Sequence, residues 1–127
     1  MKLLIDTHIL LWAAAGTLPL TASKYIGDEA NELFFSSASI WEIAIKQGLG
    51  RKDFIVNVHL LHNGLINNGY NELFITSKHA LAVNTLPPLH KDPFDRILLA
   101  QAITEGIHLI TSDSIVTQYT APIIYVP

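Results

Sequence analysis

Short apolar runs, separated by longer segments with a helical pattern, most restrict what this chain can fold into. Continuous apolarity over so few residues is too short for a stable helix and is typical of strands buried on both faces of a sheet. The predicted strands are Lys2–Ile5, Leu33–Phe35, Leu73–Ile75, Ile107–Thr111 and Ile123–Val126. Their alternation with helices predicts an α/β fold whose mostly parallel, five-stranded sheet carries helices on both faces.

Glycine, proline and capping residues delimit the helical segments between these strands. We expect helices at Ile9–Ala15, Thr21–Asn31, Ile40–Leu49, Phe54–Asn68, Ser77–Leu86, Asp92–Gly106 and Ser114–Tyr119. The chain has 127 residues, which is the length of one domain, since domains typically contain roughly 100–200 residues. The sequence therefore predicts one domain that spans residues 1–127.

The composition excludes several classes of protein. Hydrophobic residues make up 50% of the chain and charged residues 15%, against about 25% charged in a typical soluble protein, and this excludes intrinsic disorder. A sheet buried on both faces, or a large subunit interface, accounts for the apolar excess. The chain has no cysteine, which excludes disulfide scaffolds, cysteine zinc sites and thiol nucleophiles. Its net charge of −3 is unlike that of a basic nucleic-acid binder.

The apolar run Ile9–Ala15 does not indicate a targeting segment. Asp6 and His8 stand at its entrance, where a signal peptide does not normally carry such residues. The run is also far shorter than the ~18 apolar residues of a membrane span. We therefore expect a soluble cytoplasmic protein that does not enter a membrane.

Four acidic residues are predicted to converge at one edge of the sheet. Asp6 follows the first strand directly, and Asp113 closely follows the fourth. Asp95 lies in the first turn of the helix before the fourth strand, and Glu42 lies early in the helix after the second. Because parallel strands end at the same edge, where sites in such folds lie, we expect one cleft to contain all four carboxylates.

The chemistry of such a cleft requires a cation. Four neighbouring carboxylates would repel one another and could not all stay ionised. An all-oxygen site without cysteine suits Mg²⁺ or Mn²⁺, which also bind phosphate oxygens. Such ions promote in-line attack on phosphorus. The four acids therefore indicate metal-dependent hydrolysis of a phosphodiester.

Glu42 has a competing structural interpretation. It lies three residues after Ser39, which is the spacing of a capping box. It also lies four residues before Lys46, the spacing of a surface ion pair that contributes about 0.3–0.5 kcal/mol. Spacing alone therefore favours a structural role for Glu42.

The aspartates have structural alternatives as well. Asp6 could cap the first predicted helix, and Asp113 could cap the helix predicted from Ser114. Asp92 stands before Pro93, the usual arrangement of an N-cap and a first helical residue, so we assign Asp92 to capping. Asp95 then lies where an acid favours the helix dipole. The joint placement of the acids, rather than any one of them, therefore indicates a site.

Four segments of the chain carry a wider pattern. They are Leu3–His8, Ser39–Ile43, His90–Arg96 with the following Ile97–Ala102, and Leu109–Asp113. In this order they resemble the motifs of PIN domains, and more narrowly those of VapC toxins of type II toxin–antitoxin systems. The resemblance implies a single PIN-like domain that is a metal-dependent endoribonuclease, with a parallel sheet and flanking helices.

The resemblance also assigns the acids. Its catalytic and metal-binding quartet carries over to Asp6, Glu42, Asp95 and Asp113, while Asp92 remains a cap. It implies Mg²⁺ or Mn²⁺ as the cofactor and RNA as the substrate. It further implies a VapB-like antitoxin whose tail covers the active site, and a homodimer.

Other polar residues lie near these motifs. Thr7, Thr111 and Ser112 are candidates for supporting the metal ligands. Arg96 is a candidate for a phosphate contact, with a helix pair to Asp92 as its alternative. Further candidate phosphate contacts are Lys46, Arg51, Lys52 and Lys91.

Two histidines, His8 and His90, lie near the predicted cleft. His8 and His90 have no carboxylate partner visible from spacing, so we assign them to the surface or to packing. A HAD-like Mg²⁺-dependent phosphatase is one alternative function, but it normally requires a second aspartate where His8 stands. A PIN-like module that binds RNA or a partner without cleaving it is the other, and metal-dependent RNA cleavage separates it from a nuclease.

Overall fold

The sheet is entirely parallel. The computed structural model describes residues 1–52 and 54–127, and within them five strands form one sheet in the order β3-β2-β1-β4-β5. The strands are Lys2–Ile5 (β1), Glu32–Ser36 (β2), Asn71–Leu73 (β3), His108–Thr111 (β4) and Ile123–Tyr125 (β5). Every neighbouring pair runs parallel, which confirms the α/β class.

Helices connect the strands. They are Thr7–Ala15 (α1), Leu20–Ile26 (α2), Ser37–Gly48 (α3), Val58–Asn67 (α4), Ser77–Ala82 (α5) and Pro93–Glu105 (α6). Two short 3₁₀ turns follow at Val83–Thr85 and Val116–Gln118. Throughout the described part of the chain, these helices are too short or too polar to cross a membrane.

The sheet is buried on both faces, as the continuous apolar strands predict. Along β1 the side chains alternate: Leu3 and Ile5 belong to one hydrophobic cluster, and Leu4 belongs to a second. In the second cluster Leu4 packs with residues of α6, among them Leu98 and Leu99. Two cores of this kind account for much of the apolar composition.

The order of the strands creates one crevice. After β1 the chain moves to β2 on one side, and it later returns to β4 on the other side. Parallel sheets bind ligands at such a reversal, beyond the carboxyl ends of the strands. Ile5 pairs with Ile110, and the backbone N–H of Asp6 donates to the Ile110 carbonyl at 3.1 Å. The register therefore brings Asp6 beside Thr111.

Four predicted elements had wrong bounds. The third helix begins at Ser37 rather than Ile40, because Ser36 caps it. The second helix ends at Ile26 rather than Asn31, because Asp28 accepts the backbone N–H of Ala30 at 2.9 Å and forms a turn. The fourth helix begins at Val58 rather than Phe54, since Asn57 caps it. The third strand, expected at Leu73–Ile75, is Asn71–Leu73.

Two further helices are shorter than expected. The helix predicted to reach Leu86 ends at Ala82 and continues as a 3₁₀ turn, with the Thr85 hydroxyl bonded to the Ala82 carbonyl at 2.7 Å. The segment predicted as a helix at Ser114–Tyr119 contains only a 3₁₀ turn at Val116–Gln118.

Candidate active site

Asp6 lies at the centre of the crevice. It ends β1 and caps α1: its Oδ1 accepts the backbone N–H of Ile9 at 3.0 Å. Its Oδ2 accepts the hydroxyl of Thr111 at 2.5 Å. Burial raises the pKa of Asp6, although the hydrogen bonds from Thr111 and Ile9 act in the opposite direction. The cap that the sequence allowed is therefore present, and it leaves the carboxylate buried in the crevice.

Thr111 connects two of the predicted acids. Its hydroxyl donates to Asp6, and the same oxygen accepts the backbone N–H of Asp113 at 3.0 Å. A backbone hydrogen bond from Ser112 also acts on Asp6 and favours its charged form. The segment 111–113 therefore holds Asp6 and Asp113 in a fixed relation, consistent with the supporting role predicted for Thr111 and Ser112.

Asp95 and Asp113 approach each other around a histidine. The Nε2 atom of His90 donates to Asp113 Oδ2 at 2.9 Å and lies 3.1 Å from Asp95 Oδ2. One candidate ligand atom from each of these residues lies within 4.8 Å of the other two. We call these three residues the His90 cluster. Asp95 is in the first turn of α6 and Asp113 follows β4, as predicted.

The pKa values of the two carboxylates in the cluster are shifted in opposite directions. Burial, together with the negative charges of Asp92, Asp113 and Asp6, raises the pKa of Asp95 to about 7, although His90 acts in the opposite direction. Burial also acts to raise the pKa of Asp113, but hydrogen bonds from His90 and the Ile115 backbone outweigh it and lower the value. One acid of the pair is therefore poised to exchange a proton near neutral pH.

His90 is the residue that the sequence-based prediction missed. Its partner Asp113 is 23 residues away in the chain, so no local spacing shows the contact. The available signal was its position just before the Asp92 cap, since Asp92 and Asp95 open the same helix. The surface position considered for His90 was wrong, because its side chain is 13% exposed and lies between two acids. The side chain of His8, by contrast, is exposed.

Glu42 is buried but lies outside the His90 cluster. The residue is 7% exposed, and its carboxylate pairs with the Lys46 ammonium at 3.1 Å, as the spacing predicted. The capping box with Ser39 is not formed, because α3 begins at Ser37 and Ser36 is its cap. The structure therefore removes one structural explanation of Glu42 and keeps the other.

Ser39 has a different partner. The hydroxyl of Thr7 donates to Ser39 Oγ at 2.9 Å, and both side chains are buried. This contact joins the first turn of α1 to the first turn of α3. Thr7 thus acts on the helix that carries Glu42, which fits the supporting role predicted for it.

Arg96 binds the protein backbone. Its two terminal nitrogens donate to the carbonyls of Pro87, Val83 and Leu86 and to the hydroxyl of Tyr119, at 3.0–3.4 Å. These contacts replace the expected helix pair with Asp92. We therefore favour a structural role for Arg96 over the predicted phosphate contact, because both terminal nitrogens are committed.

We expect the change Arg96→Met to lower the free energy of unfolding by about 1.5–3 kcal/mol, as for other charged hydrogen bonds. The reason is that the segment before α6 would lose its anchor and leave half-buried carbonyls without a donor. Urea denaturation measures this loss. Lys91→Met, at an exposed position of the same segment, is the control. Equal stability of the two variants would contradict the structural role.

Comparisons with known proteins show the family to which the chain belongs. Residues 3–121 match the PIN domain family, so the chain belongs to the PIN domain family. A HAD-like phosphatase is therefore no longer a candidate. A comparison with curated protein sequences gave no match.

The fold is shared with solved toxin–antitoxin structures. VapBC2 from Rickettsia felis bound to promoter DNA has 14% identity and a TM-score of 0.72, covering 98% of each chain. DNA-bound VapBC from Salmonella typhimurium has 12% identity and a TM-score of 0.71, covering 99% of this chain and 97% of that one. VapBC-1 from nontypeable Haemophilus influenzae has 19% identity and a TM-score of 0.65, covering 93% and 91%.

Proposed function

We propose that this protein is a divalent-metal-dependent endoribonuclease and the toxin of a VapBC-type pair. The observation that carries the proposal is the approach of Asp95 and Asp113 at the crevice of a parallel sheet, with Asp6 buried beside them. Membership of the PIN domain family and the shared fold of VapBC structures support the same conclusion.

The residues of the crevice fit a divalent cation. Asp95 and Asp113 offer oxygen ligands at short range, and the negative charges of Asp113 and Asp6 both raise the pKa of Asp95. A cation relieves this repulsion, and oxygen ligands suit Mg²⁺ or Mn²⁺. Asp95 and Asp113 would hold the ion, with Asp6 and Glu42 completing the predicted quartet. When bound, the ion would neutralise charge on the phosphodiester.

The choice of RNA as substrate rests on family membership and charge. The chain has a net charge of −3. When the four acids of the quartet are left out of this count, the net charge of the remaining residues is slightly positive. Arg51, Lys52 and Lys91 are exposed and would meet the phosphates. Lys46 is already paired with Glu42, so we give it a smaller part in RNA binding.

The same comparisons support an antitoxin partner. The resembling structures from Rickettsia felis, Salmonella typhimurium and Haemophilus influenzae are VapBC assemblies. We propose a VapB-like antitoxin and a homodimer for this chain as well. An RNA-cutting toxin of this kind would act in the cytoplasm, where its substrate is.

We expect the purified protein to cleave RNA in the presence of Mg²⁺ or Mn²⁺, and excess EDTA to abolish cleavage. The physical reason is that the clustered carboxylates cannot neutralise a phosphodiester without a cation. Gel electrophoresis of labelled RNA measures the products, and adding back Mn²⁺ should restore them. Cleavage undiminished in EDTA would overturn the metal requirement. RNA binding without cleavage under every metal condition would favour a non-catalytic PIN-like module.

A further inference from the structure

His90 lies at the one point where two of the proposed ligands meet. Its side chain is 13% exposed, and its Nε2 faces Asp113 at 2.9 Å and Asp95 at 3.1 Å. Two roles are compatible with that position. Nε2 either offers a lone pair to the cation, as a third ligand, or offers a hydrogen to the carboxylates.

The hydrogen bond at the other ring nitrogen, Nδ1, distinguishes between these two roles. The backbone N–H of Asp92 donates to His90 Nδ1 at 3.1 Å. A nitrogen that accepts a hydrogen bond carries no proton, so the ring proton is on Nε2. A metal ligand requires the reverse tautomer, with Nε2 free and Nδ1 protonated. The Asp92 amide would then face an N–H group, so the geometry favours a donor.

The ring is also held firmly relative to α6. Asp92 caps this helix, its Oδ1 accepting the Phe94 backbone N–H at 2.9 Å, while its own amide binds the ring. The backbone N–H of His90 donates to the Tyr119 hydroxyl at 2.8 Å. Both sides of the histidine are therefore fixed, and Nε2 has one direction in which to donate.

We infer that His90 is a positioning residue, whose Nε2–H orients the carboxylate of Asp113 beside that of Asp95 and does not bind the cation. The inference rests on the proposed metal-dependent function, because it concerns the residues that would hold the ion. Asp113 and Asp95 approach from β4 and α6. Its Nε2–H donates to Asp113 Oδ2 at 2.9 Å and lies 3.1 Å from Asp95 Oδ2, so the histidine holds the Asp113 carboxylate beside that of Asp95 before a cation arrives.

The test compares Mn²⁺ binding to the parent, His90→Ala and His90→Gln, with His59→Gln as control because His59 is exposed on α4. Electron paramagnetic resonance measures the affinity for Mn²⁺. We expect His90→Ala to weaken it roughly 10–100-fold, the usual effect of groups that orient ligands. His90→Gln should recover most of the loss, because its amide N–H replaces Nε2–H. Circular dichroism establishes that each variant is folded.

Pulsed electron paramagnetic resonance of Mn²⁺ bound to the parent provides a second readout. We expect no coupling to a directly coordinated ¹⁴N nucleus. Such a coupling, lost in His90→Gln, would make His90 a ligand and overturn the inference. So would parental affinity in His90→Ala, or no Mn²⁺ binding by the parent. A parent that binds Mn²⁺ but cleaves no RNA would refute the proposed function alone, since the Mn²⁺ comparison still decides the role of His90.

Discussion

Replacing Asp95 by asparagine should reduce RNA cleavage by at least about a thousandfold, the equivalent of the several kcal/mol that a metal ion supplies to such reactions. Asparagine keeps the shape of the side chain and removes its charge. The cation would then lose one of the two carboxylates that lie at short range. Initial rates of RNA cleavage at saturating Mn²⁺ measure the effect.

The same change should stabilise the metal-free protein at high pH. Since the pKa of Asp95 is raised to about 7, the folded state keeps a proton that the unfolded chain releases near pH 4. The parent therefore loses the Asp95 contribution to stability as the pH rises from about 4 to about 7, and Asp95→Asn lacks this loss. Urea denaturation in EDTA should show that the free energy of unfolding of the variant increases relative to that of the parent as the pH rises across this range. A constant difference would contradict the pKa shift.

Asp92→Asn is the matched control. Asp92 caps α6 through its Oδ1, and asparagine caps helices about as well as aspartate. We expect Asp92→Asn to keep most of the RNA-cleaving activity, although it is the same aspartate-to-asparagine change as Asp95→Asn and lies only three residues away in the chain. An inactive Asp92→Asn protein beside an active Asp95→Asn protein would reverse the two assignments.

Glu42→Gln should reduce cleavage by about 10–100-fold, which is less than the Asp95 change. This range is typical of residues that act on a metal site from its periphery, and Glu42 lies outside the His90 cluster. The substitution removes a buried negative charge but also its ion pair with Lys46. Because Lys46 is partly exposed, the stability of the metal-free protein should change little.

Thermal melts separate the metal-related role of Glu42 from a structural one. The rise in melting temperature caused by Mn²⁺ should be smaller in Glu42→Gln than in the parent, since ligand-linked stabilisation follows affinity. Glu32→Gln, an exposed residue at the opposite end of the sheet, is the control and should behave as the parent. Parental activity together with a parental shift would leave Glu42 with the Lys46 pair alone.

The sequence predicts the part of the site that depends on strands. The central strands β1 and β4 are marked by apolar runs, so the sequence predicts their ends correctly or within one residue. The positions of Asp6 and Asp113 at those ends were therefore predicted as well. The edge strand β3 was misplaced because apolar residues do not mark it. Phe74 and Ile75 extend the apolar run beyond Leu73 but are exposed, at 67% and 40%.

Two details depended on tertiary contacts. Ser36 and Ser39 are both able to begin a helix, and local sequence does not choose between them. Pairing of Ser36 with Leu73 extends β2 to Ser36, so α3 begins immediately afterwards and the capping box of Glu42 cannot form. The contact of His90 with Asp113 likewise exists only once α6 packs beside β4. Neither outcome has a signature in residue spacing.

The hydrogen bond from Thr111 to Asp6 joins residues that are 105 positions apart, and this separation has a consequence for synthesis. Ribosomes add about 5–20 residues per second, so the first acid of the quartet emerges long before the last. Until β4 has been made, β1 has only β2 beside it, and the long loop that closes the crevice is slow to form. On the proposed function, an unfinished chain cannot cut RNA, including the message that is being translated into it.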